Sequence, residues 1–355
     1  MSYQRKNIKN MMGYASGEQP TDPNTLKLNT NENPYPPSER VTEVIRQFDP
    51  AALRRYPPPN AVKFRQLAAK LHGVDTSNII ATRGGDELLR LVITTFVEPG
   101  ESIGVTKPTY SLYPVLAKIQ DCPLVEIELS ETWALPESFP AEMNKAGVKL
   151  TLLVNPHAPS GVLMPIDAVS QLASKLDSVL LLDEAYIDFV DHEYQSANLI
   201  NKHDNLIILR TLSKGYSLAG LRFGYGIAPQ ELIEPMLTKT KDSYNLDLLS
   251  QEIAAVAIED QSSAKVTWEL VVKERQRLQA ALETLGMPSP PSQTNFLLAT
   301  SPVDAEQVYR RLRDRQILVR YFASPNLEDK LRISVGTSAE NDRLLLAIRE
   351  ILDNY

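Results

Sequence analysis

A single cysteine in 355 residues, Cys122, rules out an internal disulfide framework and any cysteine-based zinc or iron–sulfur cluster. The four histidines (His72, His157, His192, His203) show no metal spacing such as His-x-x-x-His. Basic residues are in the minority, 37 against 44 acidic ones, for a formal net charge of −7. That removes the Lys/Arg excess that would pair with nucleic-acid phosphates or an anionic membrane surface, so neither is expected as a partner. Long apolar runs are missing too: stretches such as Val179–Leu182 and Leu206–Leu209 fall far short of the ~20 residues of a spanning helix. No apolar stretch follows Arg5, Lys6 and Lys9, so no secretory leader is expected, and with one cysteine the expected compartment is the reducing cytoplasm. Glycine is scarce, 15 residues where average usage gives about 25.

What the chain does have is enough apolar content, 43%, to bury a large core. At about 150 residues per domain its length corresponds to roughly two domains. It is also rich in proline, with 25 residues against about 18 at average usage. Nine of them fall in the first 60 positions. Proline fixes φ and removes a backbone donor, so residues 14–60 are expected to be extended segments and loops around one short helix near Val41–Phe48. Such a segment wraps a surface or reaches toward a partner rather than forming a core.

From residue 61 onward short apolar runs alternate with amphipathic stretches. Strands are predicted at Asn78–Thr82, Ser102–Val105, Leu124–Leu129, Lys149–Val154, Val179–Leu182 and Leu206–Leu209. Helices are predicted at Lys63–His72, Glu87–Phe96, Leu112–Lys118 and Ile166–Leu176. Runs without polar alternation mark strands covered on both faces, and interleaved helices imply parallel βαβ units. The last hundred residues read differently: a long helix around Ser262–Leu285, β-like runs at Asn295–Leu298 and Leu331–Val335, and a terminal amphipathic helix, Ala339–Leu352. The expected fold is therefore α/β, a mostly parallel central sheet flanked by helices, plus a smaller α+β domain. The expected division is 41–255 for the large domain, with 1–40 and 256–355 forming the small domain and its N-terminal arm.

Ligands of open parallel sheets bind beyond the carboxyl ends of the strands. Five predicted strands deliver distinctive residues there: Arg83-Gly84-Gly85-Asp86-Glu87, Lys107-Pro108-Thr109-Tyr110, Asn155-Pro156, Asp183-Glu184-Ala185-Tyr186 and Arg210-Thr211-Leu212-Ser213-Lys214. Singly, each has an ordinary explanation. A glycine pair is a turn, a tyrosine is core, and a strand-end lysine is solvated. Asp183-Glu184 also resembles the acidic strand end of an ATPase, but no Gly-x-x-x-x-Gly-Lys-Ser/Thr loop exists here. Together the five supply the needs of pyridoxal phosphate: a lysine to hold it, a carboxylate for its ring nitrogen, amides at a helix start for its phosphate, and an aromatic ring for its face. Arg222, in Gly220-Leu221-Arg222-Phe223-Gly224, adds a cation able to reach that phosphate.

Thr211-Leu-Ser213-Lys214-(seven residues)-Arg222-Phe-Gly224 resembles the lysine signature of the fold-type I, class I/II pyridoxal-phosphate aminotransferases, and the likeness runs from about residue 28 to the C-terminus. It implies Lys214 as the cofactor lysine and Asp183 at the ring nitrogen. Asn155 and Tyr186 would sit at the ring hydroxyl and Tyr110 on the ring face. The phosphate would rest on Gly85, Asp86, Ser213 and Arg222. Tyr56, in Arg55-Tyr56-Pro57, would reach the cofactor of a second subunit, which implies a homodimer. The family's Asn-Pro-Asn-Asn-Pro-Thr-Gly reads Asn155-Pro156-His157-Ala158-Pro159-Ser160-Gly161 here, a departure that leaves the role of His157 open.

Within that family the chain is most similar to the histidinol-phosphate aminotransferases. The likeness is carried by Gly13-Tyr14, Leu28-Asn29-Thr30-Asn31-Glu32-Asn33-Pro34, Ile317-Leu318-Val319-Arg320-Tyr321-Phe322 and Leu331-Arg332-Ile333-Ser334-Val335-Gly336-Thr337. It implies a substrate site of Tyr14, Asn31, Asn155, Arg320 and Arg332. The second arginine, Arg320, would be suited to a phosphate monoester. The reaction so implied moves an amine from histidinol phosphate to 2-oxoglutarate. An aromatic aminotransferase and a threonine-phosphate decarboxylase are the alternatives.

Overall fold

The computed structural model describes residues 2–190 and 193–355. Twelve strands are present: β1 (Leu26–Lys27), β2 (Ile79–Thr82), β3 (Ile103–Lys107), β4 (Leu124–Glu128), β5 (Leu150–Val154), β6 (Val179–Asp183), β7 (Leu206–Thr211), β8 (Gly224–Ile227), β9 (Phe296–Thr300), β10 (Ile317–Leu318), β11 (Arg320–Tyr321) and β12 (Lys330–Ser334). Seven of them form one sheet in the order β2-β8-β7-β6-β5-β3-β4. All run parallel except β8, which is antiparallel to both its neighbours.

Both faces of this sheet are covered, which accounts for the unbroken apolar runs. Leu180, Leu182, Leu206 and Ile208 point into one core with the helices Val62–His72 and Ile166–Lys175. The alternate residues Leu181, Ile207 and Leu209 point into a second core with Gly84–Phe96 and Leu112–Gln120. A period of two with both faces buried favours apolar residues until the strand ends, and a polar one inside, Thr151 of β5, is paired with the Ser178 hydroxyl at 2.9 Å. The mostly parallel α/β fold expected from the sequence is borne out.

A second, three-stranded antiparallel sheet has the order β11-β12-β9, and β1 pairs with β10. The N-terminal segment differs from expectation here. Residues 14–60 do contribute to cores: Leu26 and Leu28 pack with Ile317, Leu331 and Ile333, and Val41 is buried against the large-sheet core. The prolines hold the chain extended around these anchors.

The sequence also left strand β8 unassigned. Its Gly-Tyr-Gly-Ile run is too short and glycine-rich to read as a strand, yet glycine is required by its setting. A Cβ on Gly224 would lie 2.7 Å from the carbonyl carbon of Gly84 and 2.8 Å from the amide nitrogen of Gly85. The start of β8 thus passes directly against the Gly84–Gly85 turn, and because β8 runs backwards it brings Arg222 to the same sheet edge as the carboxyl ends of the parallel strands.

Candidate active site

Beyond that edge lies a cavity of about 350 Å³. Twelve of the fourteen residues proposed from the sequence line it: Tyr14, Asn31, Gly85, Asp86, Tyr110, Asp183, Tyr186, Ser213, Lys214, Arg222, Arg320 and Arg332. Their positions follow from the topology. Asp183 is the last residue of β6, two past Leu181 and hence on the face covered by Leu112–Gln120. Ser213 and Lys214 leave β7, and Gly85 and Asp86 open the helix Gly84–Phe96, whose N-terminal amides face the cavity.

One end of the cavity is built for an anion. Arg222 lies over Gly84 so closely that a Cβ there would sit 2.8 Å from its Nη2, and Gly84 has φ +76°. Arg222 Nη1 donates to Ser213 Oγ at 3.4 Å, and Nη2 donates to Asp86 Oδ2 at 3.3 Å. These long bonds leave the guanidinium free to be taken over by a more strongly charged acceptor. Glycine at Gly84 and Gly224 keeps this cradle clear.

In the centre, Lys214 Nζ donates to the carbonyl of Thr30 at 2.9 Å. Burial, and then the charge of Arg332, lowers its pKa to about 8, so it reaches the neutral, nucleophilic form far more readily than a surface lysine. Asp183 is 5% exposed and its carboxyl is pushed up to about 6 by burial, an effect opposed by hydrogen bonds from the Tyr113 hydroxyl (2.9 Å) and the Ala185 amide (3.1 Å). The charges that act on it most, Asp86 and Glu184, are also acidic and raise it further. A carboxylate so placed calls for a positive partner, and the protonated ring nitrogen of pyridoxal phosphate is one. Tyr186 receives a bond from Asn31 Nδ2 at 3.0 Å, with Asn31 held in the left-handed region at φ 56° by Ser334.

The far wall carries two arginines. β11 and β12 pair so that Arg320 lies directly across from Arg332. Like charges at facing strand positions repel, and no carboxylate forms an ion pair with either among the described residues. Arg332 Nη2 donates to the Asn29 carbonyl at 2.9 Å, but its buried Nε has no partner. Both guanidinium groups lie on the ring of Phe322, at 5.4 Å and 5.5 Å from its centre. Two facing cations with an unmet buried donor leave this wall able to take an anion.

Two proposed residues are elsewhere. Asn155 is 1% exposed and does not line the cavity. Its Oδ1 accepts from the Met164 amide (2.7 Å) and its Nδ2 donates to Tyr194 Oη (2.8 Å). Tyr56 is 81% exposed and stacks on Tyr244, with ring centres 4.5 Å apart. His157 is a buried support: its ring spans the Ser160 hydroxyl (2.8 Å) and the Pro108 carbonyl (3.1 Å), and burial lowers its pKa to about 4, so it is neutral. It thereby braces the loop that leads to Tyr110. Sequence reading missed Tyr113, Thr30 and Phe322. For Tyr113 a signal existed, since it lies one helical turn after Tyr110.

A lysine, a carboxylate and an anion cradle on the carboxyl edge of this sheet define a fold-type I pyridoxal-phosphate enzyme, and the residues present fit that cofactor. The chain belongs to the class I and II aminotransferase family, whose model matches residues 23–348. It is 42% identical to a histidinol-phosphate aminotransferase of Nostoc over 99% of both chains, and 42% identical to one of Geobacter over 98% of both. The structure of histidinol-phosphate aminotransferase from Sinorhizobium meliloti, in complex with pyridoxal-5′-phosphate, superposes with a TM-score of 0.92 at 25% identity, covering 100% of this chain and 98% of that one.

Proposed function

We propose that this protein uses pyridoxal phosphate to transfer the amino group of histidinol phosphate to 2-oxoglutarate, giving imidazole acetol phosphate and glutamate. The observation that carries the reading is the Arg320–Arg332 pair, which supplies two guanidinium groups where a single carboxylate would need only one. The 42% identity to relatives bearing that name supports it.

Pyridoxal phosphate, when bound, supplies an electron sink for the carbon that carries the amine. Lys214 would hold the cofactor, and as a free amine its Nζ would take the proton from that carbon and carry it to the carbon on the other side of the amine nitrogen. Asp183 would hold the ring-nitrogen proton, Tyr186 the ring hydroxyl, and Gly85, Asp86, Ser213 and Arg222 the phosphate. Arg320 and Arg332 would clasp the substrate anion, with Tyr14 and Asn31 beside them.

A homodimer is part of the proposal. Tyr56 and Tyr244 are 81% and 49% exposed and stack on each other at the surface. In a second subunit's site, Tyr56 would complete the phosphate cradle. Mixing Tyr56→Phe subunits with Lys214→Ala subunits should then restore part of the activity, because one hybrid site per dimer is intact. Absence of restoration would count against sharing. No helix among the described residues is long and apolar enough to cross a membrane, which is in keeping with the proposed cytoplasmic location.

The donor is tested by single-turnover half-reactions with histidinol phosphate, phenylalanine and threonine phosphate. Histidinol phosphate should react fastest by at least tenfold, since a second charged contact contributes about 1.5 kcal/mol or more. A faster reaction with phenylalanine would identify an aromatic aminotransferase, and release of carbon dioxide from threonine phosphate a decarboxylase.

A further inference from the structure

The hydroxyl of Tyr113 has a placement that ordinary core packing does not explain. The residue is fully buried (0% exposed) and does not line the cavity. Its ring meets Tyr110 edge-on, with centres 5.5 Å apart, which a phenylalanine would do equally well. The hydroxyl is what differs, and it donates to Asp183 Oδ2 at 2.9 Å. A buried hydroxyl needs a partner, and here that partner is the Asp183 carboxylate, which lines the cofactor site. Burial and the adjacent carboxylate hold the phenol far from ionising, so it remains a donor.

We propose that Tyr113 is a positioning residue that acts through Asp183, fixing the carboxylate's orientation and keeping it a weak enough base that the cofactor's ring nitrogen retains the shared proton. The inference rests on the pyridoxal-phosphate reading above. Its logic is electrostatic. Asp183 has two donors, Tyr113 Oη and the Ala185 amide, and no cationic side chain pairs with it among the described residues. When its only other partner is a pyridinium, the proton lies between two bases of comparable strength. Each hydrogen bond donated to the carboxylate weakens it as a base and moves the proton toward nitrogen. A ring that keeps its proton withdraws electrons from the reacting carbon, so Tyr113 tunes that step without touching substrate or cofactor.

The test is Tyr113→Phe, which preserves the ring packing. The apoprotein is reconstituted with cofactor labelled at the ring nitrogen and observed by nitrogen NMR, and cofactor affinity is measured by equilibrium dialysis. In the parent protein the resonance should lie at the pyridinium position. In the variant it should move toward neutral pyridine, and the dissociation constant should rise about tenfold, the effect of one charge-assisted hydrogen bond. A resonance that stays at the pyridinium position in Tyr113→Phe overturns the proposal, whatever the affinity does, because a purely structural role would change folding stability without moving that proton. If Tyr113→Phe does not fold, 4-aminophenylalanine at this position keeps the shape and weakens the donor. The resonance should then move toward neutral pyridine, and an unmoved resonance overturns the proposal equally. Failure of the underlying reading looks different: the parent protein itself would bind no pyridoxal phosphate.

Discussion

Lys214→Ala is expected to lower the rate of amine transfer by roughly 10⁴-fold, the upper range for a positioned general base, and to abolish covalent retention of the cofactor. Borohydride reduction followed by mass spectrometry should find the cofactor fixed to Lys214 in the parent protein and to no residue in the variant. A reducible adduct in Lys214→Ala would refute the assignment. The size of the effect follows from the setting of this amine. It is half-buried and held by the Thr30 carbonyl, and burial and the charge of Arg332 lower its pKa to about 8. The sign follows from the charge: burial and a nearby cation both disfavour the ammonium form, so the neutral form gains as pH rises through about 8 rather than through the ordinary lysine range near 10.4. Competitive acetylation of the apoprotein should accordingly show Lys214 half-reactive near pH 8, about two pH units below the surface lysines. No other side chain in the cavity combines a nucleophilic nitrogen with such a shift, so no neighbour can substitute for it.

The sheet and its chemistry were legible in the sequence for a physical reason. A strand covered on both faces favours apolar residues until it ends, so the first polar residues after each apolar run mark the ligand edge. Asp183 after Val179–Leu182 and Ser213-Lys214 after Leu206–Leu209 are read in this way. Less legible was anything that depends on which way a side chain turns. The spacing put Asn155 at the right strand end, but its amide is engaged by Met164 and Tyr194 and does not line the cavity. Tyr113 required two phases at once, the period of a helix and the period of a strand, before it could be seen to face Asp183. Strand β8 was hidden because the close approach that demands glycine at Gly224 also erases the apolar pattern that announces a strand.

The Arg320–Arg332 pair shows how such a site divides its duties, and the second large effect is expected there. Arg332 is half-buried, ordered by the Asn29 carbonyl and packed on Phe296 and Phe322, with its enclosed Nε left without an acceptor. Removing it takes away the cation that both the phosphate donor and the carboxylate acceptor would meet. Arg332→Ala should therefore lower kcat/KM in both half-reactions by about 10²- to 10³-fold, the range for one member of a desolvated charged contact. Arg320, half-buried like Arg332, faces it from the neighbouring strand. Its guanidinium adds charge that a dianionic phosphate uses and a single carboxylate uses less. Arg320→Ala should cut kcat/KM for histidinol phosphate by about 10- to 100-fold, while the half-reactions with glutamate and phenylalanine change about threefold or less. The chain should also become more stable without ligand, because the facing cations repel when no anion lies between them. Equal losses for histidinol phosphate and phenylalanine would show that Arg320 reads general negative charge and not phosphate, and the proposed donor would lose its main structural support.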